Sequence, residues 1–403
     1  MSPTVRRLLA AKGLRAFADG YVALLLPAYL LERGFTPLQV GIIATTTLAG
    51  SGLATLGVGW VAHRYAHRAL LLAACALMAA TGVGFVVAAD FVPLLVVAFV
   101  GTLNPSSGDV SVFLPLEHAV LSHAVDDQRR TSAFARYSLV GALAAAAGSL
   151  AAGLPALIEH AAGVDSRTAF QAMFALYALI GVGAAGIYRG LPRGGPEREA
   201  RPHAALGPSK ARVYALAALF SVDAFAGGLI VQSMLALWLY QAHGLSAAAA
   251  GTLFFWTGIL SAASFLAAVP VSRRIGLVNT MVFTHIPSSV CLILVPFASS
   301  LPVVVALLLV RSALSQIDVP TRSSYVMAIV TPPERPAAAS VTTVPRSLAA
   351  AASPFLAGYM LGITAFGWPL VAAGVIKIAY DLALLVVFRR VRPPEEERLA
   401  AAD

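Results

Sequence analysis

Three ionisable residues stand inside one otherwise apolar run, Leu301–Val330: Arg311, Asp318 and Arg322. A charge near the centre of a bilayer costs at least ~3 kcal/mol, so such side chains face a protein interior or a watery cavity. At about 100° per residue the three positions fall within roughly 40° of one another, which predicts one charged stripe along one helix face. Asp318 and Arg322 are also one turn apart, so each can neutralise the other. Such a stripe can bind and release a polar solute or an ion. It offers nothing for making bonds.

Other apolar runs carry their own chemistry. Asp19, Asp109 and Asp223 are carboxylates in poorly solvated sites, which can load and release a proton near neutrality, so they are the proton-coupling candidates. Asp19 either does this or pairs with Arg15, four residues earlier on the same face. Asp223 has no basic residue one turn away on either side and reads as an unpaired acid. For Asp109, Arg136 is the partner in reach, and the helix-disturbing Pro105 and Gly108 precede it as Pro320 follows Asp318, predicting local unwinding at both places. Asn104, Tyr21, Gln232 and Trp256 join Arg311, Asp318 and Arg322 as residues that can line a substrate cavity. Arg311 can receive an anion or pin a carboxylate from another helix, and both readings stay open. Lys377 and Asp381 read as an i,i+4 pair serving packing or insertion. His63 and His67 read as solvated loop residues, and Cys75 and Cys291 as neither disulfide nor metal ligands, so no metal or cofactor is expected.

Elements able to hold charges in this way follow from composition. Of 403 residues 59% are hydrophobic and 12% charged, with a formal charge of +9 and a mean hydropathy of +0.81. That composition belongs to a membrane protein, and the basic residues sit in short loops rather than in a nucleic-acid-binding patch. Twelve apolar runs are long enough to span: 13–32, 38–60, 69–89, 92–120, 132–158, 168–189, 212–241, 247–271, 278–299, 302–330, 337–362 and 367–388. Unbroken runs of that length predict helices, because barrel strands would alternate. The first is expected to act as its own uncleaved insertion signal. Arg64, Arg68, Arg129, Arg130, Arg273, Arg274 and Arg335 follow even-numbered runs, whereas loops after odd-numbered runs hold only Arg33 and Arg167. Both termini are therefore expected in the cytoplasm, across the inner or plasma membrane.

The segment Gly190–Arg212 is rich in Pro, Gly and charge and reads as a linker, giving domains 1–190 and 212–403 joined by 191–211. The two halves repeat. Gly34, Gly41 and Arg64 recur in order as Gly244, Gly251 and Arg274, and LAAAAGSLAAG from Leu143 recurs as LAAAASPFLAG from Leu348. A six-run repeat in the same orientation predicts two pseudo-symmetric bundles about an axis along the membrane normal.

With these features the chain resembles the major facilitator superfamily of secondary transporters over its whole length. The superfamily's loop between spans two and three reads G-x-L-A-D-R-x-G-R-[KR]; here it is GWVAHRYAHR, keeping Gly59, Ala62, Arg64 and Arg68 but replacing the acid with His63 and the second glycine with Ala66. Asp19–Pro27 looks like the acid-to-proline stretch of drug–proton antiporters, one residue short, and Gly148–Pro155 is loosely similar to their Gly/Pro motif. The resemblance implies a twelve-helix all-α fold with spans four and ten lining a central cavity. It also implies a cytoplasmic gate or motif set of Gly59, Arg64, Arg68, Arg136, Arg274 and Arg346.

The expected function is alternating-access transport of a small molecule, as proton-coupled efflux of an organic compound or as uptake of an anionic metabolite held by Arg311 and Arg322. No phosphate-binding G-x-x-x-x-G-K-[ST] loop occurs, which points to an ion gradient as the energy source. A membrane enzyme or sensor finds no catalytic constellation to stand on, and a lipid-embedded monomer with protons or another coupling ion is the expected working unit.

Overall fold

The computed structural model describes residues 2–61, 64–106, 111–192, 206–389 and 391, and among them every regular element is helical. In chain order these are α1 (Pro3–Glu32), α2 (Pro37–Val61), α3 (His67–Val87), α4 (Phe91–Val100), α5 (Phe113–His123), α6 (Asp127–Leu150), α7 (Leu154–Ala162) and α8 (Ser166–Arg189). They continue as α9 (Lys210–Leu229), α10 (Gln232–His243), α11 (Ala247–Ile275), α12 (Leu277–Leu294), α13 (Leu301–Leu314), α14 (Asp318–Ala328), α15 (Arg335–Ala352), α16 (Pro354–Ile363) and α17 (Trp368–Phe388).

Local sequence sets where these helices start and stop. Ser2 caps α1 by accepting from the Val5 amide at 3.3 Å, and Pro3 fills the first turn, where no amide hydrogen is needed. Gly34 and Gly244, equivalent in the repeat, follow α1 and α10 with φ of +82° and +59°, a left-handed turn that releases the chain from each helix.

Ten helical stretches among the described residues are long and apolar enough to cross a membrane. The fourth and eleventh expected spans are interrupted instead. The fourth stops after Val100, where Gly101 turns to an extended conformation, and resumes at Phe113. The eleventh breaks at Ser353, since Pro354 has no amide hydrogen to continue the ladder. The tenth also breaks, at Ser315–Ile317, and α14 restarts at Asp318 with Pro320 tolerated in its first turn.

The contacts gather into two compact units. The first holds α1–α8, α10, the first part of α11 and α16; the second holds α9, the remainder of α11, α12–α15 and α17. In the first, α1 lies along α6 so closely that a Cβ on Gly20 would collide with the Ala145 carbonyl oxygen, and one on Gly148 with that of Phe17. In the second, α9 lies along α15, and a Cβ on Gly228 would collide with Ser353 Oγ and the Ala350 carbonyl oxygen. The repeated small-residue stretches around Gly148 and Ser353 are what allow these backbones to touch.

An apolar plug of Val213, Phe220, Met281, Val282, Tyr325 and Phe388 fills the second unit between α9, α12, α14 and α17. The same four helices carry charges within one turn of that plug. Packing thus fixes the frame on which the charges meet.

Candidate functional site

Asp223 on α9 sits at the centre of a buried ionic network. Lys377 Nζ from α17 donates to its Oδ1 at 2.7 Å, and Arg322 Nη1 from α14 lies 3.2 Å from its Oδ2. Arg322 also bonds Asp318 through Nη2 and stacks over the Phe220 ring at 5.3 Å. Asp223 is therefore doubly paired, which corrects its reading as an unpaired acid. Its partners come from other helices, a relation that spacing along α9 cannot reveal.

Asp381 extends the network. It is fully buried, and both its oxygens lie 3.0 Å from Nδ1 of His285 on α12. The Nε2 of the same imidazole lies 3.9 Å from Asp223. Lys377 and Asp381 do not bond each other, so the i,i+4 pair expected on the last span is replaced by two bonds to different helices. His285 was missed in the sequence, although a histidine in the middle of an apolar run is itself a signal.

Beside this network lies a cavity of about 190 Å³, lined by Gly227, Ile230, His285, Ser288, Ser289, Leu292, Arg311, Ser315, Gln316 and Lys377. It is polar and basic, with no carboxylate in its lining. Arg311 has no ion-pair partner among the described residues, and its backbone oxygen accepts from Ser288 Oγ at 3.2 Å and from the Ser315 amide at 2.9 Å. The break before Asp318 ends the helix that would have aligned Arg311 with Asp318 and Arg322. The single stripe expected from 100° spacing is thereby corrected. Arg311 lines the cavity, while Asp318 and Arg322 are buried in ion pairs outside its lining.

The first unit holds a second buried charge. Glu117 on α5 is fully buried and accepts from Tyr137 and Tyr188 at 2.6 Å each and from Arg15 on α1. Arg15 donates its Nε to Tyr188 at 3.2 Å and covers the Phe113 ring at 3.8 Å. Every strong donor around Glu117 is engaged, which is the condition under which a buried carboxylate is tolerated. Arg15 takes Glu117 as its bonded partner, and Asp19 is half-buried one turn further on.

The remaining predicted residues scatter. Tyr21 is fully buried and donates to the Met173 carbonyl at 3.2 Å, so packing holds it rather than a cavity. Asn104 is buried at the break after α4 and accepts from the Ser106 amide and hydroxyl at 3.1 and 2.7 Å. Gln232 is half-buried at the start of α10, and Trp256 is 54% exposed on α11. Of the gate set, Gly59, Arg64, Arg136, Arg274 and Arg346 are exposed, and Arg68 donates to the Leu191 carbonyl at 3.3 Å. Arg346 also lies in electrostatic reach of Arg322, Asp223 and Asp318. Asp109 and His63 lie outside the described residues.

A family profile described as Major Facilitator Superfamily matches residues 8–231 and 216–403. The chain belongs to that superfamily. Being a member, it is a transport protein rather than an enzyme. An uncharacterized membrane protein of Saccharomyces cerevisiae, YJR124C, is 24% identical over 422 residues, spanning 96% of this chain and 94% of the yeast protein. Among solved structures, a variant of the nucleoside transporter NupG superposes with a TM-score of 0.76 at 13% identity, covering 96% of this chain and 100% of its own. A bacterial homolog of the human lysosomal transporter Spinster, in an inward-facing and occupied conformation, gives 0.75 at 15% identity, covering 96% and 98%. At such identities these likenesses concern the superfamily fold alone.

Proposed function

We propose that this protein is a secondary transporter of a small anionic organic solute, bound at Arg311 and moved by alternating access with protons as the coupling ion. One observation carries the reading: a half-buried guanidinium without a carboxylate partner lines a basic, hydroxyl-rich cavity. A cation placed at that depth without a counter-ion is costly, and a solute carboxylate or phosphate removes the cost through charge-assisted hydrogen bonds. Ser288, Ser289, Ser315 and Gln316 add neutral donors and acceptors for orientation. The volume suits a solute of a few heavy atoms together with water, each water taking ~30 Å³. Both termini in the cytoplasm, and domains 1–190 and 212–403, complete the topology we assign.

A second reading is proton-coupled efflux of an uncharged or cationic organic compound, with Asp19 carrying the proton. It is favoured by the antiporter-like stretch from Asp19 to Pro27.

A thermal-stability screen separates the two, because a solute that binds only the folded state raises its melting temperature. Lactate, succinate and inorganic phosphate are to be compared with lactamide and succinamide, on the parent and on Arg311→Gln. At least one anion should stabilise the parent, its amide should not, and Arg311→Gln should abolish the effect. Equal stabilisation by acid and amide, or an unchanged response in Arg311→Gln, would sink the anion reading. Proton movement that tracks Asp19 in proteoliposomes would then favour efflux.

A further inference from the structure

We propose that His285 and Asp381 together form the proton-binding site of this transporter, loading one proton in concert with the anion at Arg311. The coupling half of this proposal rests on the anion reading above; the proton site itself does not.

The geometry supplies the argument. Asp381 is sealed from solvent, and among the described residues its hydrogen-bond partner is His285 alone. The two Asp381 oxygens fix a hydrogen on Nδ1 at 3.0 Å, which leaves Nε2, 3.9 Å from Asp223, as the position a further proton can occupy. His285 is also the member of the pair that reaches the cavity wall, so a proton can pass between the cavity and the ring. The pair is a proton site with a door.

The chemistry of the partners points the same way. Asp223, Asp318 and Asp381 are paired directly with Lys377, Arg322 and His285. Of these partners the imidazole is the side-chain type suited to taking up and releasing a proton. Asp381 and Asp223 face the ring at 3.0 and 3.9 Å, Arg311 of α13 and Lys377 of α17 share the cavity lining with it, and Arg322 and Asp318 of α14 join through Asp223. The Tyr380 ring meets the imidazole edge-on at 6.2 Å, and Arg346 of α15 acts on the same carboxylates.

An anion entering the cavity faces Arg311, Lys377 and His285 at once. It favours the imidazolium over the neutral ring, and by linkage the imidazolium favours the anion by the same factor. Proton and anion then load and leave together. With Asp223 held by two cations, the proton has no need of that carboxylate, which moves the coupling role from Asp223 to the pair behind it.

The test uses the whole protein in micelles with 15N-labelled histidine. His285→Gln identifies the ring's resonances among the eight histidines. In the parent, the protonation state of the His285 ring should change as spectra are taken from about pH 5 to 8, the range over which imidazoles as a class exchange protons. Asp381→Asn should lower the midpoint by about one pH unit or more, and Asp381→Glu, which keeps the charge, should restore it. Whichever of lactate, succinate or inorganic phosphate stabilises the parent should raise the midpoint, and should not in Arg311→Gln. A His285 ring fixed in one protonation state across that range, or a midpoint indifferent to Asp381→Asn, would overturn the proton site even where anions still protect the protein. A titrating, Asp381-dependent ring that ignores every anion would overturn the coupling.

Discussion

Lys377 and Asp381 stand one turn apart on α17, yet each is bonded to a different helix: Lys377 to Asp223 of α9 at 2.7 Å, Asp381 to His285 of α12 at 3.0 Å. The last span is thereby stitched to two neighbours through opposite charges, with α14 joined in through Arg322. One turn of helix presents a cation and an anion on the same face, and buried partners outcompete the short-range i,i+4 contact.

Asp223→Asn should be severely destabilising. It leaves Lys377 buried without a counter-ion and removes one of two acids from Arg322, a change of the kind that costs about 3–5 kcal/mol. Asp223→Asn combined with Lys377→Gln should recover a large part of the loss, because both charges leave together and Arg322 keeps Asp318. Thermal unfolding in micelles reads both. Equal melting of the single and double variants would mean that the pair contributes nothing to holding α17 against α9.

The Glu117 cluster invites a different measurement. Tyr188→Phe and Tyr137→Phe each remove one 2.6 Å hydrogen bond to a buried carboxylate, worth about 1.5–3 kcal/mol for a charged acceptor. Tyr188 also accepts from Arg15, so its loss should be the larger and should not add to that of an Arg15 variant. A double-mutant cycle between Arg15→Met and Tyr188→Phe, followed by melting temperature, should show coupling. Strict additivity would count against a shared network.

How far the sequence foretells this arrangement depends on the range of the relation. Charges buried in apolar runs announce themselves one by one, and Arg311, Asp223, Asp318 and Arg322 are all recognisable as interior. Unwinding near Asp318 is legible from Pro320, and the close helix crossings from Gly148 and the alanine runs. Who pairs with whom is not legible, because Asp223 meets Lys377 across 154 positions of chain. Local spacing offers the i,i+4 neighbour instead, so Lys377 reads as the partner of Asp381 although its bond goes to Asp223. The stripe from Arg311 to Arg322 fails for a related reason: its arithmetic assumes a continuous helix, and Ser315–Ile317 interrupt it.

Glycines of the two kinds should respond oppositely to substitution. Gly148→Val places branched carbon where the Phe17 carbonyl already sits, so α1 and α6 must part; the folded yield should collapse. Gly59, in the loop motif, has nothing within 4 Å of a built Cβ and lies exposed at the end of α2. Gly59→Ala should therefore fold and melt like the parent, any effect appearing only in transport. Size-exclusion profiles of the two variants decide between a packing role and a functional one.

Glu334, between α14 and α15, ties the entry of α9 to the start of α15. Its Oε1 accepts from the amides of Gly207 at 2.5 Å and Ser209 at 3.4 Å, and its Oε2 from the hydroxyls of Thr331 at 2.6 Å and Ser209 at 2.8 Å. These bonds, that of Thr331 first and the Gly207 amide next, hold its carboxyl at about 2 against an ordinary 4.5. A carboxylate whose pKa falls on folding stabilises fully above its ordinary value and loses that contribution as pH drops through the folded one. The tie should accordingly hold at neutral pH and weaken between 4.5 and about 2. Glu334→Gln keeps the shape but replaces one acceptor oxygen with a donor NH2, which can accept from neither of that oxygen's hydrogen-bond partners. Hydrogen–deuterium exchange at Gly207 and Ser209 should be faster in this variant than in the parent at about pH 7, and the stability gap between the two should close as acid takes the pH down through that window. Unchanged exchange would mean that backbone contacts alone anchor the start of α9, leaving the carboxylate without a structural role there.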